Sequence, residues 1–279
     1  MTRTDPRGRT LRAVHYLVLA LVLVLLVGPL VVPLLSSFKS GQEDLFGANA
    51  DVLPRQWSTH AFADLFEKIP MGTYMANSAI VALLSIVSNV ALATTAGYML
   101  SRRGWRGRNA VFYALIAAMM FPFESVMISL FAQVRDLGAV DTLIGVWLPG
   151  AVAVLNVLLM RAAFLALPKE IEDAALLDGA TEWQRFWRIF LPNAKGVLTV
   201  ITLTTFITAW DEFLWPLVVL RSDENFTLML GLASLQGAFG FDYRVVLAGA
   251  LVALVPVAIV FFAAQKHFFR GMEEGGVKF

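Results

Sequence analysis

The sequence of 279 residues contains no cysteine and only three histidines, His15, His60 and His267. The absence of cysteine excludes a disulfide framework, a thiolate metal site and a cysteine nucleophile. The histidines lie far apart in the sequence, so they do not suggest a metal cluster. No Gly-Lys dipeptide occurs either, so the phosphate-binding motif G-x-x-x-x-G-K-[ST] is absent. We therefore expect no metal and no cofactor in this chain.

Charged residues are also scarce, at 15%, whereas about 25% is usual in soluble domains. Hydrophobic residues make up 58%, and the mean hydropathy is +0.70. A soluble fold of this size still exposes a large area, so it could not hide so much apolar surface. The composition excludes a disordered chain, a coiled coil and an ordinary soluble enzyme. The net charge of +1 gives no indication of nucleic-acid binding, and membrane lipid is the expected surrounding.

Six stretches are long and apolar enough to cross a bilayer as helices, which takes about 20 residues. The first follows four arginines, but its apolar run is longer than the core of a secretion signal and no small-x-small cleavage site follows. We interpret it as a retained helix. No composition shift, internal repeat or low-complexity tract divides the chain. The sequence therefore predicts one all-α membrane domain, 1–279, with six transmembrane helices at 13–35, 77–100, 110–134, 143–164, 197–220 and 245–264.

The distribution of basic residues predicts the orientation of these helices, because cytoplasmic loops carry an excess of Lys and Arg. One side of the predicted membrane holds 16 of the 22 basic residues, in 1–12, 101–108, 161–195 and the segment after 265. The other side holds the remaining 6. We expect both termini to be cytoplasmic. The arginines of 101–108 have a plain explanation in topology and lipid headgroups, and a phosphate-binding role for them is the weaker alternative.

The predicted loop between the fourth and fifth spans, residues 165–195, is the most informative segment, and we call it the 165–195 loop. Its residues 168–192 read PKEIEDAALLDGATEWQRFWRIFLP. Pro168 suits the first position of a helix, Gly179 suits a left-handed helix end, and Thr181 with Gln184 forms a capping box. Pro192 then ends the second helix. The sequence predicts two short helices around a glycine.

The first helix of the loop has a face of small side chains. Ile171, Ala174, Ala175 and Asp178 share that face, since they follow the spacing i, i+3, i+4, i+7. A helix laid into the groove of a partner protein is a common recognition mode. The alternative is an amphipathic helix that rests on lipid headgroups. The pattern alone leaves both open.

The loop resembles the EAA motif of ABC importer permeases, E-A-A, three residues, G, nine residues, I-x-L-P. Asp173 stands where the family has Glu, and every spacing fits. Further stretches are similar to the carbohydrate, maltose-type branch of these binding-protein-dependent permeases. They are Asp178-Gly179-Ala180, Asn77-Ser78, Pro122, Met160-Arg161, Trp210-Asp211-Glu212-Phe213-Leu214 and Arg270-Gly271 with Gly275-Gly276-Val277-Lys278.

The resemblance implies a non-catalytic permease of an importer for a sugar or sugar derivative, in a bacterial inner membrane. A second homologous six-span permease would form the other half of the pathway, and an extracytoplasmic binding protein would deliver the solute. Two copies of a cytoplasmic ATPase would bind ATP and Mg. The loop would act as the coupling helix against that ATPase, with contact residues Glu172, Asp173, Ala174, Ala175, Asp178, Gly179, Ala180, Ile189, Leu191 and Pro192.

Acidic residues within predicted spans usually mark a pathway, because an ionisable group is costly in a bilayer. Glu124 and Asp211 each lie about 21 Å from the cytoplasmic ends of their helices, at 1.5 Å per residue. We expect these two to line one cavity, and Glu212 to point about 100° away from Asp211. The alternative is that the acids reach outer water or the partner permease.

Aromatic and polar side chains near these acids complete the predicted pathway. Trp210 and Trp215 could stack on a sugar ring, although tryptophan also belongs to the interfacial belt. Asn89 and Ser85, near mid-depth on the second span, are further candidates for substrate contact. The series Thr199, Thr202 and Thr205 is interpreted as helix-packing contact instead.

Three other functions compete with a sugar importer. A membrane-embedded enzyme would use the same acids, but the sequence has no nucleophile–base pair or metal cluster. An ion-driven secondary transporter predicts inverted repeats and broken midplane helices, and neither is apparent in the sequence. An ABC permease for a non-sugar solute also remains open.

Overall fold

The structure is a computed structural model, and it describes residues 6–47, 50–102, 105–238 and 242–275. Every regular element in these residues is helical, and the only β-bridge among them joins Lys39 to Trp57. The chain divides into two compact units. The first comprises Met1–Pro70 with Ser234–Leu254, and the second comprises Met71–Ala233 with Val255–Phe279.

The first unit begins with helix α1, Pro6–Ser36, followed by α2, His60–Lys68. Residues 14–35 of this helix contain no buried side chain, and leucine and valine occupy every face of the stretch. A helix that is apolar all round needs an apolar surrounding. This part of α1 therefore fits the predicted first span.

A folded loop connects α1 to α2 in the first unit. The Lys39 ammonium is buried and donates hydrogen bonds to the carbonyl oxygens of Asp44 and Asp51. The carboxylate of Glu43 accepts from the backbone N–H groups of Arg55 (2.9 Å) and Gln56 (3.0 Å). These hydrogen bonds stabilise the charged form and lower the pKa of Glu43 from 4.5 to about 2.

The second unit opens with a long helix, and the last two helices of the described chain each contain residues of both units. A 3-10 turn, Leu148–Gly150, extends α6, and a π-helical turn, Phe186–Phe190, follows α9. The remaining helices are α3 Met71–Ser101, α4 Arg108–Ala118, α5 Phe123–Asp136, α6 Leu143–Trp147, α7 Val154–Leu165, α8 Lys169–Leu177, α9 Glu182–Arg185, α10 Leu191–Asn193, α11 Lys195–Asp211, α12 Leu214–Val219, α13 Leu228–Ala238 and α14 Tyr243–Gly275.

Three helices of the described residues are each long and apolar enough to cross a membrane, namely Val14–Ser36, Met71–Ser101 and Tyr243–Gln265. Three bent pairs also meet these criteria, which gives up to six spans. The pairs are α4 with α5, bent by 103°, α6 with α7, bent by 45°, and Glu182–Asn193 with α11, bent by 74°. The predicted number of six is compatible with this, and the spans predicted at 110–134, 143–164 and 197–220 each contain an interruption of the helix.

Prolines explain three interruptions, those between α4 and α5, between α6 and α7, and between α11 and α12. A proline lacks the N–H that would bond to the carbonyl four residues earlier, and its ring clashes with that carbonyl. Pro122 lies four residues after Ala118, where α4 ends, and Pro216 lies four residues after Glu212, where α11 has just ended. Pro149 lies in the 3-10 turn that ends α6. Hydropathy alone cannot register these interruptions, since both halves of each span are apolar.

The core of the second unit near the 165–195 loop is built on contacts between α3 and α7. Gly97 of α3 lies so close to α7 that an added Cβ would sit 2.7 Å from the Cβ of Met160 and 2.9 Å from the backbone nitrogen of Arg161. Aromatic side chains from the loop complete this core, with Phe186 and Phe190 packed on Tyr98. The loop is therefore folded onto its own bundle.

Candidate functional site

A cavity of about 590 Å³ lies in the second unit, where the interruptions of three helices come together. Its wall includes the start of α5, the 149–153 segment between α6 and α7, and the residues between α11 and α12. Irregular backbone at membrane depth is tolerated only where protein or a water-filled cavity covers it. The polar residues of the wall are Ser85, Asn89, Glu124, Asn156, Thr204, Thr205, Thr208 and Glu212.

The cavity contains two of the three predicted acids, but not the expected two. Glu124 and Glu212 line it, whereas Asp211 is not among its lining residues. The expected pairing of Glu124 with Asp211 is therefore wrong for this cavity. The reason is local: α11 ends at Asp211, so Glu212 leaves the helix and its carboxylate accepts from the backbone N–H of Trp215 (3.1 Å).

Of the two tryptophans predicted to lie on the pathway, only one lines the cavity. Trp215 lines the cavity, and its indole N–H donates to the carbonyl oxygen of Gly145 at 3.1 Å. Trp210 is 3% exposed, stacks on Phe206 with ring centroids 5.6 Å apart, and does not line the cavity. Trp147, which the sequence did not single out, is a second indole of the wall.

Asn89 reaches the cavity wall, but its amide group is fully occupied within the chain. Its nitrogen donates to the carbonyl oxygens of Ser85 and Gly150, both at 3.0 Å. Its oxygen accepts from the backbone N–H of Ala153 (2.7 Å) and from the side chain of Asn156 (3.0 Å). Asn89 therefore fastens α3 to the interruption between α6 and α7.

The threonines of α11 only partly follow the predicted packing role. Thr205 is buried and accepts a hydrogen bond from Asn156 of α7, at 3.2 Å. Thr199 and Thr202 instead donate to carbonyl oxygens of their own helix, those of Lys195 and Leu198. One of the three thus makes a hydrogen bond to another helix among the described residues.

The geometry of the 165–195 loop confirms its predicted helix ends. Helix α8 ends in a Schellman motif, because Gly179 has φ +75°. The N–H of Ala180 donates to the oxygen of Ala175, and that of Gly179 to the oxygen of Leu176. The capping box of Thr181 and Gln184 is present. Pro168 lies one position before the first helical residue instead of in it.

Charged side chains fix this loop to the C-terminal end of α3, and we call them the ion-pair cluster: Arg102, Glu172, Glu182 and Arg185. The carboxylate of Glu172 pairs with Arg102 and, at 3.1 Å, with Arg185. Arg185, 7% exposed, also pairs with Glu182 at 2.6 Å. The Tyr98 hydroxyl donates to Glu182, and the Arg102 guanidinium lies 4.1 Å from the ring centroid of Phe190.

The structure divides the predicted ATPase-contact residues into two groups. Ala175 is buried, Ile189 and Leu191 pack on the loop's own core, and Glu172 belongs to the ion-pair cluster. The predicted face with Ala174 and Ala175 together is therefore wrong, since the second alanine faces inward. The exposed loop residues include Ile171, Asp173, Ala174, Leu176, Leu177, Asp178, Gly179, Trp183, Trp187 and Pro192, while Ala180 is half-buried.

The arginines of 101–108 do more than set an orientation. Arg102 belongs to the ion-pair cluster, and Arg108 donates to the backbone oxygen of Arg102 at 3.0 Å. Arg106 is exposed, and Arg103 lies outside the described residues. No local pattern could indicate this contact, because Glu172, the ion-pair partner of Arg102, lies 70 residues further along the chain.

Asp141, between α5 and α6, was also missed by sequence reasoning. It adopts φ +61°, which is uncommon for a residue with a side chain. Its carboxylate accepts from the backbone N–H groups of Arg221 (2.9 Å) and Ser222 (3.0 Å) and from the Ser222 hydroxyl. These hydrogen bonds lower the pKa of Asp141. Asp141 thereby fastens two loops together.

Residues 89–274 match the protein family described as binding-protein-dependent transport system inner membrane component. This chain belongs to that family. The permease is 34% identical to the arabinooligosaccharides transport system permease protein AraQ of Bacillus subtilis, with 100% of both chains covered. It is 31% identical to the lactose transport system permease protein LacG of Rhizobium radiobacter, over 75% of this chain and 77% of the relative.

A solved structure confirms the predicted all-α importer-permease fold. The permease matches a chain of a bacterial ABC transporter involved in the import of the acidic polysaccharide alginate, with a TM-score of 0.84 and 25% identity. That match covers 96% of this chain and 100% of the other. A chain of the MetNI methionine ABC transporter shares the fold at a TM-score of 0.53 and 17% identity, over 72% and 94% of the two chains.

Proposed function

We propose that this permease is the membrane-spanning subunit of an ATP-driven importer and forms half of the pathway for an oligosaccharide. The observation that carries the proposal is the cavity at the meeting of three interrupted helices, in a chain of this family. A cavity of about 590 Å³ lies in the range of small-molecule sites, about 300–1,000 Å³.

The chemistry of the wall supports a sugar. Threonine hydroxyls and carboxylates hydrogen-bond to sugar hydroxyls, and the half-buried ring of Trp147 offers a flat apolar surface. Two glutamates and no basic side chain are among the lining residues, so a neutral sugar fits this half of the pathway better than an acidic one. The relatives named above for arabinooligosaccharides and lactose agree with this class.

The exposed side of the 165–195 loop supports a separate ATPase as partner. Leu177 is 90% exposed and Trp183 is 66% exposed on a loop that is otherwise fastened to the chain. Exposed large apolar side chains held on rigid helices suit a groove on another protein. ATP and Mg would be bound by that partner, and this subunit would contribute no catalytic group.

The remaining parts of the proposal concern assembly and orientation. A second homologous permease would supply the other half of the pathway, two ATPase copies would bind on the cytoplasmic side, and an extracytoplasmic binding protein would deliver the sugar. Both termini would lie in the cytoplasm, as the distribution of basic residues predicts. The location would be a bacterial inner membrane.

Reconstitution tests this function. The permease, its sister permease, the ATPase and the binding protein are placed in proteoliposomes, and uptake of labelled neutral oligosaccharides is measured with and without ATP. We expect uptake that requires ATP and the binding protein. Uptake of an amino acid or a metal complex in place of every sugar tested would point to the non-sugar alternative.

The interrupted helices also favour a second candidate, an ion-driven transporter, because broken helices line the sites of many such proteins. The same liposomes distinguish the two. Uptake that persists without the ATPase and stops with an uncoupler would support the second candidate and contradict the first.

A further inference from the structure

We propose that helix α3 transmits the movement of the 165–195 loop to the cavity, through a polar junction at each end of the segment 89–102. This inference rests on the proposed function, since it concerns how an ATPase stroke would reach the pathway. It assigns a role to Arg102 and Arg185, which lie outside the predicted contact and pathway sets, and a different role to Glu172 and Asn89, which belong to those sets.

The first junction is the ion-pair cluster. Arg102 follows the last residue of α3, and Glu172 of α8 pairs with it and with Arg185 of α9. The side chains of Arg102 and Arg185 are 14% and 9% exposed, so solvent screens these pairs weakly. Both helices of the loop are thus attached to one point of α3.

The segment of α3 above this junction cannot slide along its neighbour. At Gly97 the backbones of α3 and α7 approach so closely that even a methyl group would clash with Met160 and with the nitrogen of Arg161. Close-packed helices transmit displacement instead of absorbing it. Asn89 and Arg102 are separated by 13 positions, which corresponds to about 20 Å at 1.5 Å per residue.

The second junction is Asn89, which is 2% exposed. Two of its four hydrogen bonds go to Gly150 and Ala153, the two sides of the interruption between α6 and α7. Through Asn156 the same group is linked to Thr205 of α11. A displacement of α3 therefore reaches two walls of the cavity through directional contacts.

Stability alone is a poor explanation for the ion-pair cluster. A buried ion pair often adds little net stability, because desolvation offsets the attraction, but it fixes one arrangement of its partners. The structure shows what that arrangement is: the loop and α3 held as a single body. This leads to a functional test in which assembly and coupling are measured separately.

The first experiment uses neutral, nearly isosteric variants in the reconstituted complex. Glu172→Gln and Arg102→Met are compared with Glu170→Gln and Arg106→Met, which remove the same charges at exposed positions. We expect the first pair to retain ATPase binding and ATP hydrolysis, while the sugar imported per ATP falls at least about tenfold. The controls should behave as the native protein, and Arg102→Lys should be intermediate.

The second experiment asks whether both junctions belong to one path. Asn89→Leu removes the upper junction without touching the loop, and we expect the same loss of imported sugar per ATP. If one path carries the stroke, the double variant Asn89→Leu with Arg102→Met is no worse than the worse single variant. Losses that multiply would show two independent contributions and overturn the proposal.

The third experiment replaces the ion pair by a covalent link. The chain has no cysteine, so Arg102→Cys with Glu172→Cys introduces the only reactive thiols when the partner chains are also cysteine-free. We expect low import per ATP before treatment and recovery after a short bismaleimide bridges the two thiols. No recovery by the bridged protein would show that the charges themselves matter, which contradicts a mechanical link.

The outcomes separate this inference from the proposed function. If the native complex imports no sugar with ATP, the proposed function fails. If the native complex works and the Glu172→Gln variant either imports normally or loses the ATPase altogether, the function stands and transmission through α3 is wrong.

Discussion

The 165–195 loop and the cavity both contain acidic side chains, but the two regions use them in opposite ways. In the loop, Glu172 and Glu182 pair with arginines and a tyrosine of the same chain. In the cavity, Glu124 makes no ion pair among the described residues. Within the same residues, the carboxylate of Glu212 accepts one hydrogen bond, from the backbone N–H of Trp215. The glutamates of the loop hold it in one arrangement, whereas the glutamates of the cavity face open space.

This difference shows how one bundle can contain a rigid part and an adaptable part. Charge pairs with little exposure hold their partners in one geometry, which suits a loop that must present the same surface at every contact. Polar groups along a cavity remain available to water or to a solute. Five predictions test the comparison, beginning with the largest expected effect.

Arg185→Met should have the largest effect, because it removes the buried centre of the ion-pair cluster. Glu172 would keep only Arg102 as an ion-pair partner among the described residues, and Glu182 is largely exposed, so we expect a cost near the lower end of the range of about 3–5 kcal/mol typical of a broken buried pair. We expect a clear fall in Tm in detergent and faster proteolysis within the loop. Arg188→Met, at an exposed position two residues past Phe186, is the control, and equal effects of the two variants would refute a special role for Arg185.

Gly97→Ala should follow, with a loss of about 1–3 kcal/mol from overpacking. The added Cβ would lie 2.9 Å from the backbone nitrogen of Arg161, which cannot move away as a side chain can. Gly72→Ala on the same helix meets nothing within 4 Å, so it should be neutral or stabilising. Thermal unfolding of the two variants decides between crowding and helix propensity.

Gly179→Val should cost about 1–2 kcal/mol and disturb the loop, because φ +75° disfavours a side chain. Nothing lies within 4 Å of an added Cβ, so backbone strain is the only expected cause. Gly179→Asn is the control, since asparagine tolerates this conformation. We expect uptake by the valine variant to fall while ATP hydrolysis continues, and unchanged uptake would contradict the assignment of this loop to coupling.

Glu124→Gln and Glu212→Gln should change stability by less than about 1 kcal/mol, as is usual for side chains outside a packed core. If the cavity is the pathway, both should alter uptake and widen the range of sugars accepted towards acidic ones. Competition by neutral and acidic oligosaccharides measures this. Asp211→Asn is the matched control off the cavity, and loss of assembly in the glutamine variants would make these acids structural.

The smallest effect is expected at Glu43, whose carboxylate is satisfied by backbone N–H groups in water instead of by buried arginines. Its pKa is lowered to about 2, so its contribution is fully present above about pH 4.5 and is lost as the pH falls from there towards 2. Hydrogen exchange at the amides of Arg55 and Gln56 measures it. Equal protection at pH 5 and pH 2 would refute the assignment.

Features written in short stretches of sequence were predictable. Glycine, threonine and glutamine at fixed spacings determine the ends of α8 and α9, and both ends were confirmed. The membrane class and the family also followed from hydropathy and from the motif of the 165–195 loop, and the family match confirmed them. These signals act over a few residues, so no tertiary structure is needed to interpret them.

Features that depend on distant contacts were not predictable. Depth along a straight helix placed Asp211 beside Glu124, but Pro216 interrupts the helix at Glu212 and turns a different carboxylate to the cavity. Likewise, helical spacing grouped Ala175 with Ala174, whereas only Ala175 is buried in the structure. Arg102 and Glu172 are 70 residues apart along the chain, so no local pattern could pair them.

The prolines that interrupt three helices have a consequence for how the cavity can change its width. Bending an intact helix sharply breaks backbone hydrogen bonds, but at Pro122, Pro149 and Pro216 some of these bonds are already missing. The helix on each side of an interruption can therefore change its angle at a small energetic cost, because its own backbone hydrogen bonds stay intact. The cavity wall can therefore move at these three interruptions, and the main cost of widening the cavity lies in rearranging side chains and water.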